Sequence, residues 1–300
     1  MYLKDTLNSM GYNVILINDE YPQNVIGKIM GKLHIPLLTY ITNKVILKKY
    51  IRGKSYDLVL IIKGRGMSKP LINKLREISP KVVGYNFDSF KYHSAPLNWY
   101  KNVTEYYTFD YRDAENHSIK IVELFSSLPE NKKVKKIKYS ISAIVRNHSN
   151  RLKYIDRILK AVNSDKVFIY IFEKDIFTFI YNFIKNPILY YKYYKYIYFK
   201  PLSYSKYVEI LQLSNYTIDY AHPKQTGITI RCFEALSCQT KIITNNPFNN
   251  YNINLNNGNN ILFSNNTDPI DFKNKYDNIN DLIPKKFIRN RIDFIKELIN

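Results

Sequence analysis

Between Asp219 and Asn246 the chain reads as a strand end, a glycine-containing turn, an amphipathic helix and a second strand. A strand–helix–strand unit requires a parallel sheet, because parallel neighbours are joined only by a crossover long enough to hold a helix. The run Asp219-Tyr-Ala-His-Pro-Lys-Gln-Thr-Gly-Ile-Thr-Ile-Arg-Cys-Phe-Glu-Ala-Leu-Ser-Cys238 is expected to turn helical at Gly227. Gly227, Arg231, Glu234 and Cys238 then follow i, i+4, i+7, i+11 spacing and share one face, while Ile230, Phe233 and Leu236 turn toward the sheet. A helix start offers unpaired N–H groups and a positive dipole end, which suits a phosphate or diphosphate. Gly227 leaves room for a ligand to come close. Glu234 lies about 10 Å further along the axis, roughly the reach from a diphosphate to a ribose. The spacing therefore fits a nucleotide-sugar site. It fits equally an ordinary crossover helix whose Arg231 and Glu234 form a surface i,i+3 pair.

The rest of the chain repeats this alternation. Apolar strand-like runs occur at Asn13–Ile17, Leu58–Ile62, Val82–Tyr85 and Glu105–Phe109, with a helical stretch at Ser68–Ile78. The Lys-rich segment Leu128–Lys138 reads as a linker. A second set follows: strand Tyr139–Val145, helix Arg151–Val162, strand Lys166–Phe172, helix Ser203–Leu213 and strand Tyr216–Asp219. The predicted architecture is α/β, with one domain over residues 1–130, a second over 139–283 and a closing helix over 284–300. Met1–Met10 reads as a helix, so the chain opens on a helix where such domains usually open on a strand. Asn245–Asn260 is expected to be a long surface loop.

Composition narrows the class of partner. The 300 residues carry a formal net charge of +20, with 45% hydrophobic residues, which describes a globular chain that favours polyanionic neighbours. Two cysteines, Cys232 and Cys238, on one predicted helix indicate no disulfide framework and a reducing, cytoplasmic setting. No signal peptide follows Met1, and no apolar run is long enough to span a bilayer. The segment Ile176–Pro201 interleaves Phe and Tyr with Lys. It suits a membrane interface and an ordinary helix at the core edge equally well, and stacking on single-stranded nucleic acid less well.

The segment from about Phe199 to Phe263 resembles bacterial GT-B-fold glycosyltransferases that build lipopolysaccharide and capsule. Members carry an apolar strand ending in Asp, then His-Pro-x-Gln-x-Gly-x-Thr-x-Arg-x-x-Glu-Ala-Leu, then a Lys-x-Ile-Thr-x-Asn strand. Here those positions are Asp219, His222, Pro223, Gln225, Gly227, Thr229, Arg231, Glu234, Ala235, Leu236, Lys241, Thr244 and Asn246. Upstream, Tyr56–Gly64, Tyr85–Ser89 and Phe109–Ala114 also look like that group. The resemblance implies two Rossmann-like domains facing across a cleft, the first lacking its opening strand and Gly turn, with a C-terminal helix that packs back on the first domain. It implies transfer of a sugar from a nucleotide-sugar to a lipid-linked or saccharide acceptor, at an anionic membrane surface on the cytoplasmic face of the inner membrane.

The site residues expected on this reading are Arg231 on phosphate, Glu234 on the ribose, and Gln225, Thr226, Gly227 and Thr229 around the helix start, where Thr226 is also the candidate N-cap. In similar proteins the first loop of the donor domain faces the sugar-nucleotide, which nominates Arg151 ahead of Arg146. Asp88, at a strand end, is the first choice of general base over His93, Asp110, Asp113 and His117, with Asp110 and Asp113 also read as helix caps. His222 is the second catalytic candidate, as a contact to the sugar or a phosphate. No Asp-x-Asp motif is present, so no cofactor or metal is expected, and Arg231 with the helix dipole would offset leaving-group charge. The readings from other classes are a basic nucleic-acid-binding protein and a catalytically silent remnant of the same fold.

Overall fold

A computed structural model describes residues 2–33, 35–128, 136–256, 258–279 and 287–300. Parts of the expected linker (129–135) and of the closing helix (284–286) lie outside the described residues. The chain divides into two compact units. The first comprises Met1–Leu124, Pro223–Gly227 and Arg291–Asn300; the second comprises Phe125–His222 and Ile228–Asn290.

The sheet of the first unit contains β1 (Val59–Ile62), β2 (Val82–Asn86), β3 (Glu105–Thr108) and β4 (Lys120–Ile121), parallel and in that spatial order. Every residue of β2 is buried, as expected of a strand covered on both faces that is apolar up to its terminal Asn86. Helix Lys69–Ile78 crosses from β1 to β2. Ser68 caps it by accepting the Leu71 N–H, Pro70 occupies its first turn, and Leu71, Ile72 and Leu75 form its buried stripe. Trp99 is fully buried and donates its indole N–H to the Gly64 carbonyl at 3.0 Å. Gly84 is obligatory beside it, since a Cβ there would stand 2.5 Å from the Tyr106 ring. Helix Arg291–Ile299 also belongs to this unit, burying Phe294, Ile295 and Leu298 with Phe294 edge-on to Tyr85.

Two sequence expectations fail in these regions. Asn13–Ile17 forms no strand, although helix Tyr2–Ser9 precedes it as expected. The segment has strand-like composition but joins no ladder; Ile15 and Leu16 are exposed and only Ile17 reaches the core. Asn245–Asn260 is no bare surface loop either. It holds a 3₁₀ turn (Pro247–Tyr251) and a short helix (Ile253–Asn256), with Asn246, Asn249, Asn252, Leu255 and Asn259 buried. Asparagine side chains replace regular ladder bonds here, as where Asn252 accepts the Asn254 and Leu255 N–H groups.

The second unit has β5 (Tyr139–Arg146), β6 (Val167–Phe172), β7 (Ile197–Tyr198), β8 (Ser214–Asp219), β9 (Lys241–Thr244) and β10 (Asn260–Leu262). All pairings are parallel, and the spatial order is β10-β9-β8-β5-β6-β7. The chain thus starts in the middle, builds outward through β6 and β7, and returns to the other side of β5. Helix Arg151–Val162 covers this centre and buries Leu152, Ile155, Ile158 and Val162 on one stripe. Ile155→Ala is expected to cost about 3 kcal/mol by leaving a cavity in a site with no exposed surface. Urea unfolding of the variant measures this.

Candidate functional site

Reversal of strand order beside β5 leaves a crevice at the carboxyl ends of β5 and β8, where the loops after the two strands diverge to opposite faces of the sheet. The β5 loop runs Asn147-His148-Ser149-Asn150 into the Arg151 helix. Ser149 adopts φ +56°, a left-handed turn that brings the helix start back over the sheet. Arg151 donates to the Arg146 carbonyl at 3.3 Å and sits over the Tyr220 ring. Burial pushes the His148 imidazole down to about 4, and the nearby charges of Arg151 and Arg146 push the same way, so it is neutral near pH 7.

From β8, Asp219 stands buried below the next helix and is held by hydroxyls, Thr229 at 2.8 Å and Thr244 at 3.4 Å. That helix is Ile230–Ser237 with Thr229 at its N-cap position, and the Thr229 side chain makes no capping bond because it turns down to Asp219. Arg231 lies in the first turn and donates to the Ile218 carbonyl at 3.3 Å. One turn on, Glu234 is only 5% exposed. Tyr204 donates its hydroxyl to that carboxylate at 2.9 Å. Burial raises the Glu234 carboxyl above its ordinary value, opposed by the hydrogen bond from Tyr204, the nearby Tyr207 hydroxyl and the Arg231 charge.

The loop that precedes this helix belongs structurally to the first unit. Asp110, 1% exposed at the end of β3, accepts the Thr226 N–H (2.5 Å), the Thr226 hydroxyl (2.8 Å) and the Gly227 N–H (3.3 Å). It also caps helix Tyr111–His117 by accepting the Asp113 N–H. Gln225 donates to Asp88 at 3.0 Å, and Lys63 occupies the other Asp88 oxygen at 2.7 Å. Lys63 takes φ +65° at the end of β1, an uncommon conformation for a side chain with a Cβ. Nearby, His93 is buried, and its Nε2 has no hydrogen-bond partner among the described residues. Burial, then the Arg65 charge, lowers its pKa, so this imidazole is neutral.

The sequence-nominated residues therefore separate into two groups. Arg151, His222, Thr229, Arg231 and Glu234 lie in the second unit, around the β5–β8 crevice. Asp88, Gln225, Thr226 and Gly227 lie in the first. Three expectations change. The helix starts at Ile230, not at Gly227, so Glu234 lies roughly 6 Å along its axis. Thr226 is not its N-cap; its hydroxyl is committed to Asp110. Gly227 makes room for protein, since a Cβ there would lie 2.2 Å from the Phe109 ring and 2.6 Å from its carbonyl. Sequence reasoning missed Tyr204 and Tyr207, both of helix Tyr204–Gln212, beside Glu234, because nothing in a sequence pairs one helix with a carboxylate on another. Asp110 was seen as a cap, but its grip on residues 226–227 was not.

No protein-family model matches the sequence, and no curated protein sequence matches it. Solved structures match in shape. TarM aligns with a TM-score of 0.53 at 14% identity, over 86% of this chain but only 53% of its own, so this chain spans about half the length of TarM. The lipopolysaccharide outer core galactosyltransferase WaaB aligns with a TM-score of 0.52 at 11% identity, over 87% of this chain and 78% of its own. UDP-GlcNAc 2-epimerase from Methanocaldococcus jannaschii, solved with UDP-GlcNAc and UDP, aligns at 0.55 and 13% identity, over 98% and 93%. Likeness at this level establishes the fold, which is of the GT-B type.

Gly227→Val is expected to destabilise the first unit by about 2 kcal/mol through overpacking against Phe109, with part of the loss recovered in a Phe109→Ala background. Thermal melts of the single and double variants test this coupling. Asp113 supplies a pH-dependent counterpart. Burial pushes its carboxyl up to about 6, with the Phe90 N–H opposing and Asp110 adding. A folded-state pKa above the ordinary 3.8 means that its stabilisation is present at low pH and lost as pH rises through 6. Asp113→Asn keeps an acceptor for the Phe90 N–H and removes that loss, so its stability relative to wild type should rise between about pH 4 and about pH 6 and level off above that. Melting curves across that range decide it.

Proposed function

We propose that this chain is a glycosyltransferase that moves a sugar from a nucleotide-sugar donor to a lipid-linked or saccharide acceptor, of the kind that builds bacterial surface polysaccharide. The observation that carries the reading is the buried, hydroxyl-binding Glu234 one turn inside a helix start at the β5–β8 crevice. Support also comes from the fold, shared with a protein solved with UDP-GlcNAc and with a lipopolysaccharide galactosyltransferase. A diphosphate would face the Ile230–Ser237 helix start and Arg231, and ribose hydroxyls would bind Glu234. Tyr204 presents to Glu234 the same donor a ribose would, an alcohol O–H, and its exposed ring has room to move aside. Arg151, His222 and Thr229 line the same end of the sheet as candidate contacts to donor phosphate or sugar.

The reaction would break the bond between the sugar and the nucleoside diphosphate and form one to an acceptor hydroxyl, whose proton leaves to a base. For inversion that base is proposed in the Lys63–Asp88–His93 cluster of the first unit. Asp88 carries its carboxylate already charge-paired to Lys63, while His93 is a neutral imidazole able to take a proton. Positive charge for the leaving diphosphate would come from Arg231 and the helix dipole, which makes metal independence part of the proposal. No described helix is long and apolar enough to cross a membrane. The proposed location is peripheral, on the cytoplasmic face of the inner membrane.

Calorimetric titration with UDP, GDP, CDP and ADP and their sugar conjugates tests the donor site. One nucleotide should bind selectively, Glu234→Gln should weaken it at least tenfold, and Tyr204→Phe should tighten it by removing the competing hydroxyl. Chelator should leave transfer unchanged. Equal affinity in wild type and Glu234→Gln would take Glu234 out of the site. Binding of no nucleotide, with salt-sensitive binding of an oligonucleotide, would replace the proposal with the nucleic-acid reading.

A further inference from the structure

Helices Ile176–Lys185 and Pro187–Tyr193 of the second unit form a hairpin whose composition and burial disagree. The first reads Ile-Phe-Thr-Phe-Ile-Tyr-Asn-Phe-Ile-Lys, yet none of its residues is buried. Ile176, Ile180 and Ile184 recur every fourth position, with Phe177 and Tyr181 beside them, and all are exposed. In the second helix Ile188 and Tyr191 face outward together. Phe177, Ile188 and Tyr191 are 80%, 85% and 84% exposed, values of side chains that touch almost nothing of their own chain.

The back of the hairpin is anchored by Tyr190 and Tyr193 in the core, with Phe179 and Leu189 packed against it, and by polar groups. Glu173, fully buried at the end of β6, accepts hydrogen bonds from Asn182 of the first helix, from Tyr190 of the second and from Asn147 of the β5 loop. Asp156 receives Tyr193 at 3.0 Å and Lys192 at 2.6 Å. Buried charged hydrogen bonds thus fix the orientation in which the apolar face looks away from the protein.

We infer that the outer face of this hairpin docks on an anionic phospholipid surface, the two helices lying in the plane of the headgroups with Ile and Phe in the acyl boundary and Tyr at headgroup depth. Charge selects the occupant. Between Lys174 and Lys200 the chain has five lysines and no arginine; Lys192 is taken up by Asp156, which leaves four lysines against Asp175 as the one acidic residue outside the buried Glu173. Asp175 is occupied as the N-cap of the first helix, accepting the Thr178 N–H. Lysines around an apolar face match anionic lipid headgroups. A second copy of the chain would bring the same lysines face to face in a two-fold contact, which disfavours that occupant. Nucleic acid would stack on the exposed rings alone, whereas the aliphatic row of Ile176, Ile180, Ile184 and Ile188 that runs among them matches acyl chains and offers bases no partner. The inference rests on the hairpin alone and holds whatever reaction the crevice supports.

Co-sedimentation of the full chain with phosphatidylcholine vesicles, with and without phosphatidylglycerol, tests it. Wild type should partition at least tenfold more strongly to the anionic vesicles. Phe177→Ser/Ile188→Ser/Tyr191→Ser should lose at least tenfold in that binding, and Lys185→Glu/Lys195→Glu should abolish the preference for phosphatidylglycerol. Circular dichroism and nucleotide affinity should be unchanged in both, which separates failure of docking from failure of the donor site. Ile26→Ser/Ile29→Ser, on an exposed face of the first unit, is the control expected to keep binding. Three results would each overturn the inference: undiminished binding by the triple variant, loss confined to the Ile26/Ile29 variant, or a wild-type dimer in sedimentation velocity that the triple variant disperses. Oligonucleotide binding that needs the same three side chains, without vesicle binding, would overturn it as well.

Discussion

The second unit depends on one strand, β5, being bonded on both sides by strands that follow it in the chain. A parallel sheet begun at its centre must send its crossovers to opposite faces, and the loops leaving β5 and β8 then part above the strand ends. The backbone ladder alone makes that opening. It sets Arg151 at one helix start and Arg231 with Glu234 at the other. Side-chain packing then tunes what the ladder has placed. Asp219 takes the Thr229 hydroxyl away from the helix cap, and Tyr204 fills the hydrogen-bonding demand of a carboxylate with little access to water.

The residues of the Gln225–Gly227 loop show how a motif can serve packing. In the sequence they look like ligand-facing groups because they precede a helix start. In the structure their polar groups meet Asp110 and Asp88, and the missing glycine side chain admits Phe109. Asp110 meets four donors from two chain segments far apart in sequence. A buried carboxylate with that many donors is stable only while all of them are in place, so it holds the loop to one conformation.

Most strands and helices were legible because their apolar periodicity is strong and their caps are local. The helical stretch expected at Ser68–Ile78, the Arg151–Val162 helix and the β5, β8 and β9 strands all appear where periodicity puts them. Asn13–Ile17 misled because strand composition says nothing about whether a partner strand is present. Asn245–Asn260 misled because buried asparagines bonded to backbone look, in a sequence, like a solvated loop. The start of the Ile230 helix was missed by three residues, since Gly227 is a plausible first-turn residue until Phe109 is known to lie against it.

By itself, then, the sequence determined the α/β class, the alternation of elements, the basic surface charge and the residue types around one crossover helix, because these follow from short-range periodicity and composition. Tertiary structure alone decided the strand order that opens the β5–β8 crevice, the split of the nominated residues between two units, the hydroxyl on Glu234 and the outward face of the Tyr/Lys hairpin. Each of these turns on contacts between segments tens of residues apart. Local pattern carries no information about which distant carboxylate, ring or hydroxyl will arrive at a given side chain.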